Sequence, residues 1–172
     1  MNQALTTTRS ASTGDRHIAF IQSCWHRDIV DQSRVAFRDH IGEASSGRFH
    51  VDYFEVPGAL ELPLQVKLLA KTGEYAAIAA AGLIVDGGIY RHEFVASTVL
   101  DALMQIQLEY EVPVISLVLT PQRFHEHEDH REFFLVKWAE AAMGCLGAID
   151  GLSALRAASA GSSGTASPLS GS

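Results

Sequence analysis

The stretch AAIAAAGLIV, residues 76–85, decides the fold that we predict for this chain. It consists of small and branched apolar residues, with Gly73 before it and the pair Gly87-Gly88 after it. An apolar run of this length between turn-forming residues is typical of a strand that is buried on both faces. Such strands occur in parallel sheets that helices cover on both sides. The segments before and after it should therefore alternate between helices and further strands.

The rest of the chain shows that alternation. The predicted strands are residues 17–22, 48–56, 76–85 and 112–119, and the predicted helices are residues 28–41, 59–73, 91–109 and a last helix from about Glu126. Strand followed by helix, repeated along the chain, predicts a three-layer α/β/α domain with a four-stranded, mainly parallel sheet. This is a doubly wound, flavodoxin-like fold, in which ligands bind beyond the carboxyl ends of the strands.

Composition divides the chain into a domain and two flanking segments. The chain has 172 residues, and 47% of them are hydrophobic, which suits one globular domain. We expect a flexible arm over residues 1–15, which are rich in Ser and Thr, and a disordered Ser/Gly-rich tail over residues 160–172. The domain should then occupy residues 16–159.

Charge and targeting signals exclude several classes of partner. The net charge is −7 and no run of Lys or Arg is present, so nucleic acid and acidic membrane surfaces are poor partners. No secretory signal or membrane-spanning run is evident, and we expect a cytoplasmic protein. Cys24 and Cys145 are the only cysteines and should be reduced thiols.

Candidate ligand-binding residues follow the predicted strands. Trp25 comes after the first strand, where it either stacks on a flat heterocycle or caps the core. Pro57-Gly58 follows the second strand and leads to Glu61, which either interacts with the helix dipole or accepts hydrogen bonds from a polyol or ring N–H groups. Gly87-Gly88 follows the third strand and allows a phosphate to approach backbone N–H groups, without matching a nucleotide-binding motif.

Three histidines after the fourth strand invite a metal hypothesis. His125, His127 and His130 are interspersed with acidic residues, a pattern that equally marks a solvated helix start. Short histidine patterns produce many false matches, so we expect no metal site.

Taken together, these motifs resemble the lumazine synthase family, over about residues 17–150. The resemblance is carried by Trp25, the turn PGALELP at 57–63, the segment GLIVDGG at 82–88 and VPV at 112–114. It implies condensation of 5-amino-6-(D-ribitylamino)uracil with a sugar phosphate, 3,4-dihydroxy-2-butanone 4-phosphate, to give 6,7-dimethyl-8-ribityllumazine in riboflavin biosynthesis. It also implies no cofactor, and self-assembly as a pentamer or a dimer of pentamers.

The resemblance assigns roles by position. Trp25 would stack on the pyrimidine ring, and Ser116 would face the substrate of a neighbouring subunit. The ribityl chain and the ring would be held by Gly58, Ala59, Leu60, Glu61, Leu83, Ile84 and Val85. The phosphate would be bound by Gly88, Ile89, Arg91 and His130. The chain resembles a branch of the family with IYRH at 89–92, where most relatives have their catalytic histidine at the position of Arg91.

That difference leaves the proton carrier open among three residues. Consecutive residues on a helix point about 100° apart, so Arg91 and His92 should not serve one pocket together. Arginine does not release its proton near neutral pH, whereas histidine does. We favour Arg91 as phosphate clamp and His130 as proton carrier, with His92 as the alternative if the helix start is irregular. Lys137 would reach the phosphate if the alignment shifts.

Two other functional classes compete with an active transferase. The first is a low-activity homologue that serves as a flavin- or lumazine-binding scaffold, suggested by the replaced catalytic residues. The second is an unrelated flavodoxin-like binding domain, which would not form a pentamer.

Overall fold

The computed structural model describes residues 17–86, Gly88, residues 91–121 and residues 128–162, with side chains in the last range from 137 to 160. The predicted arm and most of the predicted tail lie outside these residues. The strands are β1 (His17–Ser23), β2 (His50–Val56), β3 (Ala77–Leu83) and β4 (Val114–Leu119). The helices are α1 (Arg27–Ala44), α2 (Leu62–Thr72), α3 (His92–Tyr110) and α4 (Glu128–Ser162), and a one-turn 3₁₀ helix, Ala59–Glu61, precedes α2.

The four strands form one parallel sheet in the order β2-β1-β3-β4. β1 pairs in parallel with both β2 and β3, and β4 pairs in parallel with β3 at the edge. Every residue of β3 is buried, as the apolar run predicts for a central strand. The predicted fold class is confirmed, and the sheet is entirely parallel.

Helices cover both faces of the sheet and enclose two separate apolar cores. α1 and α4 pack on one face, where Phe20 and Phe37 lie against Trp138 in the same cluster of buried side chains. α2 and α3 pack on the other face, around residues such as Leu62 and Val99. Because one pair of helices covers each face of the sheet, the arrangement is doubly wound.

Local sequence signals set several of the element boundaries. α2 ends at Gly73, whose φ of 65° is the left-handed conformation that glycine adopts readily at a helix end. On α1, which covers the helix predicted at 28–41, the buried side includes Ser33, Phe37 and Ile41, spaced four residues apart. α4 continues to Ser162 and overlaps the first residues of the tail predicted from 160. No helix in the described ranges is long and apolar enough to cross a membrane.

Candidate functional site

The strand order locates a ligand crevice at the carboxyl ends of β1 and β3. From β1 the chain moves outward to β2 on one side, and it then returns to place β3 on the other side of β1. In open α/β sheets, ligands bind where the strand order reverses in this way. The loops after β1 and β3 flank that point, and the loop after β2 adjoins it.

Trp25, Gly58 and Glu61 converge beside the crevice. A Cβ atom placed on Gly58 would lie 3.0 Å from Glu61 Oε2 and 3.8 Å from Trp25 Nε1. Gly58 has an extended backbone, with φ −147°, so glycine is needed there for space and not for conformation. The structure thus brings together an indole ring and a carboxylate from two different loops.

The turn after β1 presents Trp25 to solvent. The backbone N–H of Cys24 donates to the carbonyl of Val56, and His26 adopts a left-handed conformation with φ 53°. The carbonyl of His26 then accepts hydrogen bonds from Ile29 and Val30, which begins α1. As a result the indole of Trp25 is 68% exposed and does not cap the core.

Ser23 and Gly82 form the floor of the crevice. A Cβ atom on Gly82 would lie 3.0 Å from Ser23 Oγ and 3.4 Å from Leu62 Cδ1. The Ser23 side chain therefore fills the space that a side chain at 82 would need. Its hydroxyl is buried and has no hydrogen-bond partner among the described residues, an arrangement that usually costs about 1–3 kcal/mol.

Leu83, Ile84 and Val85 leave the sheet beside this floor. The side chains of Leu83 and Ile84 are buried in opposite cores, while Val85 is partly exposed. The N–H of Ile84 donates to the carbonyl of Leu119 at 2.9 Å and so extends the sheet by one residue. That backbone donor, which the family resemblance offers to a ligand, is engaged within the protein here.

The N–H of Gly88 also has a partner from within the chain. It donates to Asp86 Oδ1 at 2.9 Å, and Gly88 has a φ of 73°. A carboxylate oxygen therefore occupies the donor that the resemblance assigns to a phosphate. Ile89, the other predicted donor, lies outside the described residues.

Arg91 lies just before α3 and not within it. Its backbone is extended, with φ −68° and ψ 106°, and α3 begins at His92. The expected 100° separation between consecutive helical side chains therefore does not apply to this pair. Arg91 is exposed, with its guanidinium carbon 5.7 Å from the centre of the Phe94 ring, and His92 is partly exposed.

The remaining predicted residues lie in the 3₁₀ helix, in β4 and in α4. Ala59 packs against the α2/α3 core, Leu60 is exposed, and Ser116 is exposed on the edge strand β4. The backbone of His130 lies in α4, but its side chain is outside the described set, as are His125 and His127. Lys137 forms an ion pair with Glu140 at 2.7 Å. Among the side chains that the structure describes, no group of His, Cys, Asp and Glu is arranged to hold a metal ion.

One part of this region was not predicted from the sequence. Arg27 Nη2 donates to Glu55 Oε2 at 2.6 Å and also to Cys24 Sγ at 3.4 Å. These contacts join the loop after β1 to the end of β2. The sequence showed only an arginine after the first strand and a glutamate near the end of the second. Their proximity could not be predicted because it depends on the β1–β2 register.

Comparisons with known proteins place these residues in a family. The sequence model of 6,7-dimethyl-8-ribityllumazine synthase matches residues 15–152. The chain is 56% identical over 135 residues to the "6,7-dimethyl-8-ribityllumazine synthase 2" of Bradyrhizobium diazoefficiens, covering 76% of this chain and 80% of the relative. It is 57% identical over 131 residues to the "6,7-dimethyl-8-ribityllumazine synthase" of Rhodococcus erythropolis, covering 74% and 84%.

Proposed function

This chain belongs to the 6,7-dimethyl-8-ribityllumazine synthase family, and from that membership we propose that it catalyses the lumazine-forming step of riboflavin biosynthesis. It is a transferase that condenses 5-amino-6-(D-ribitylamino)uracil with 3,4-dihydroxy-2-butanone 4-phosphate. The proposal is carried by identity above one half over most of the chain. It is supported by the site at the strand ends, where an aromatic ring and a carboxylate meet.

The geometry suits the recognition of a flat, polyhydroxylated substrate. Trp25 offers an exposed aromatic face on which the pyrimidine ring stacks. Glu61, beside it over Gly58, accepts hydrogen bonds from the ribityl hydroxyls. Val85, which is partly exposed, contributes an apolar side chain at the same end of the sheet, while Leu83 and Ile84 support it from the two cores. Holding both substrates in one orientation supplies a large part of such a rate enhancement.

Arg91 and a histidine divide the phosphate and proton roles. Arg91 is exposed and extended beside the Gly-rich segment, which leaves its guanidinium able to clamp phosphate. His130 transfers protons if its side chain reaches the phosphate side of the pocket. The irregular start of α3 keeps His92 as the second candidate, because the helical separation from Arg91 is absent.

Three single variants separate these roles. Arg91→Ala should raise KM for the phosphate-bearing substrate about tenfold or more, because charge-assisted hydrogen bonds contribute about 1.5–3 kcal/mol each. His130→Ala should lower kcat about 10²-fold or more, as expected for the loss of a general acid–base. His92→Ala should change neither strongly. If only His92→Ala loses turnover, the assignment to His130 is wrong.

Assembly and location complete the proposal. α2 and α3 expose large apolar side chains, namely Leu64, Leu68, Phe94, Leu100, Met104 and Leu108. So many exposed apolar side chains on one helix pair favour association between copies, as in a pentamer or a dimer of pentamers. Ser116 on the edge strand would then face a neighbouring subunit's site. We place the protein in the cytoplasm, where both substrates would be available.

A binding scaffold with weak turnover is the second candidate. It is favoured by the contact between Asp86 and the N–H of Gly88, which puts a carboxylate where a phosphate should bind. Mixing the protein with both substrates and following lumazine fluorescence tests the main proposal directly. Tight binding of lumazine without catalysed formation would support the scaffold and overturn the enzyme assignment.

A further inference from the structure

The loop that carries Trp25 is fastened to the end of β2. The backbone N–H of Cys24 donates to the carbonyl of Val56 at 3.0 Å. Arg27 Nη2 donates to Glu55 Oε2 at 2.6 Å and to Cys24 Sγ at 3.4 Å. We call these contacts the β1–β2 clasp. Trp25 lies in the chain between Cys24 and Arg27, the two residues through which the clasp holds the loop.

We propose that Arg27 is a positioning residue for Trp25, which it keeps over Gly58 and beside the Glu61 carboxylate. The indole is too exposed to be held in place by packing, so its direction depends on the backbone of its loop. The clasp fixes that backbone on both sides of Trp25. The inference rests on the proposed function only in that Trp25 is taken to contact the substrate.

Arginine suits this role better than lysine would. Its planar guanidinium is rigid, and the two N–H groups of its Nη2 contact the Cys24 thiol and the Glu55 carboxylate at the same time. The hydrogen bond to Cys24, and then that to Glu55, raise the pKa of Arg27 above its ordinary range. These contacts reinforce the positive charge that an arginine carries in any case.

The size of the effect follows from the exposure of the pair. Arg27 and Glu55 are about half exposed, with side-chain exposures of 50% and 43%. An exposed ion pair typically changes an equilibrium by no more than a factor of about five. We therefore expect a loosened loop and weaker substrate binding, with the fold and its stability little changed.

The first experiment measures the motion of Trp25 without any ligand. Time-resolved fluorescence anisotropy is recorded for each protein and for its Trp25→Phe counterpart, and the difference isolates the Trp25 signal from that of Trp138. Arg27→Ala should increase the amplitude of the fast, sub-nanosecond decay, the timescale of exposed side-chain motion. Glu55→Gln should increase it similarly, and the double variant should add little more.

Arg48→Ala serves as the matched control. Arg48 forms a comparably exposed pair with Asp150 at 2.8 Å, next to the amino end of β2 and so at the opposite end of the strands from Trp25. Removing it should leave the anisotropy decay of Trp25 as in the wild type. A decay in Arg27→Ala identical to that in Arg48→Ala would overturn the proposal.

The second experiment connects the clasp to the substrate. Arg27→Ala should raise KM for 5-amino-6-(D-ribitylamino)uracil about two- to fivefold, with kcat and KM for the phosphate-bearing substrate unchanged. Arg27→Lys should restore part of this loss, because its ammonium still pairs with Glu55. Increased motion of Trp25 without a change in that KM would also overturn the proposal. Absence of turnover in the wild type would instead overturn the proposed function, and product affinity measured by fluorescence would then replace KM.

Discussion

At the residue scale, Asp86 lies next to the position proposed for the phosphate. Its carboxylate accepts the hydrogen bond from the N–H of Gly88 at 2.9 Å and so occupies the donor that we propose for the phosphate. A phosphate must displace this carboxylate and then remain close to its negative charge. In water a like charge about 4 Å away costs about 1 kcal/mol.

Substituting Asp86→Asn should therefore improve phosphate binding. Asparagine keeps an oxygen that accepts from Gly88 but removes the negative charge. We expect KM for the phosphate-bearing substrate to fall about three- to fivefold, since about 1 kcal/mol corresponds to that factor. Steady-state kinetics with each substrate varied in turn measure it. Asp101→Asn, on the exposed side of α3, is the control, and an unchanged KM in Asp86→Asn would contradict the role of the carboxylate.

The contact between Ser23 and Gly82 predicts a coupled effect on stability. Gly82→Ala places a methyl group 3.0 Å from Ser23 Oγ, which is too close for either to remain in place. Overpacking of this kind typically costs about 1–3 kcal/mol. In a Ser23→Ala background the cost should fall, because Oγ is gone and the nearest Ser23 atom is Cβ at 3.7 Å.

Urea unfolding of the two single variants and the double variant measures this coupling. Ser23→Ala alone should not destabilise the protein, because the hydroxyl that it removes is buried and unpaired within the part of the chain that the structure describes. If Gly82→Ala lowers the free energy of unfolding equally with Ser23 and with Ala at position 23, the contact with Ser23 Oγ is not the cause of the destabilisation.

Cys145 gives the protein a dependence on alkaline pH. Burial raises the pKa of its thiol from 9.0 to about 12, so the folded state keeps the proton where the unfolded chain loses it. Its stabilising effect is complete below pH 9 and is lost as the pH rises toward 12. At pH 10 the free energy of unfolding should be lower by about 1–2 kcal/mol on this account.

Denaturation at pH 8 and pH 10 tests the contribution of this thiol. From pH 8 to pH 10 the free energy of unfolding should decrease less in Cys145→Ala than in the wild type. An equal decrease in both proteins would contradict the contribution of the thiol. Thiol reagents at pH 8 should modify Cys24, which is partly exposed, and reach Cys145 only after unfolding.

At the scale of the elements, α4 contributes beyond the region that matches the family. The match ends at residue 152, but Arg156 Nη2 donates to the carbonyl of Glu111 at 2.8 Å. Glu111 has a left-handed conformation at the end of α3, where unpaired carbonyls concentrate negative charge. Arg156 therefore caps the end of α3 from α4, the helix on the opposite face of the sheet.

Loss of this cap should have a small effect that depends on salt. Arg156→Ala should lower the free energy of unfolding by about 0.3–1 kcal/mol at low ionic strength and by less in high salt. Arg156→Lys should retain part of the contribution, because a cation remains near the helix end. Urea titrations at two salt concentrations measure the difference. A loss in Arg156→Ala that is independent of salt would point to packing and not to charge.

The elements were predictable where burial alone determines them. The apolar run at 76–85 became the fully buried β3, and the four-residue spacing along α1 became its buried side. Contacts in the site depend on strand register and side-chain rotamers, which leave no periodic signal. The Arg27–Glu55 pair and the contact of Asp86 with Gly88 are of this kind. The start of α3 also differed from the prediction. Arg91 has an extended backbone, whereas the sequence pattern had placed it on the helix.

At the scale of the whole molecule, the outer surface of α2 and α3 exposes more large apolar side chains than is usual for a monomer. Leu64 and Leu68 on α2, and Met104 and Leu108 on α3, follow four-residue spacing and are all exposed. The Lys67–Glu109 ion pair, at 3.1 Å, joins the two helices next to these four apolar residues in sequence. Burying a leucine between copies contributes about 1.5–3 kcal/mol, so these side chains would favour the self-association proposed above.

A charge placed on this surface should therefore separate the subunits. Leu108→Glu would leave a carboxylate buried between copies, which costs more than the lost apolar contact. We expect the mass of the assembly, measured by light scattering or native mass spectrometry, to fall toward that of one chain with the helix content unchanged. Leu155→Glu, at a similarly exposed leucine on α4, is the control and should keep the wild-type mass. If Leu108→Glu and Leu64→Glu both keep the wild-type mass, the subunits associate through another surface. If the mass falls and turnover falls with it, the active site needs a neighbouring chain, as the proposed role of Ser116 requires.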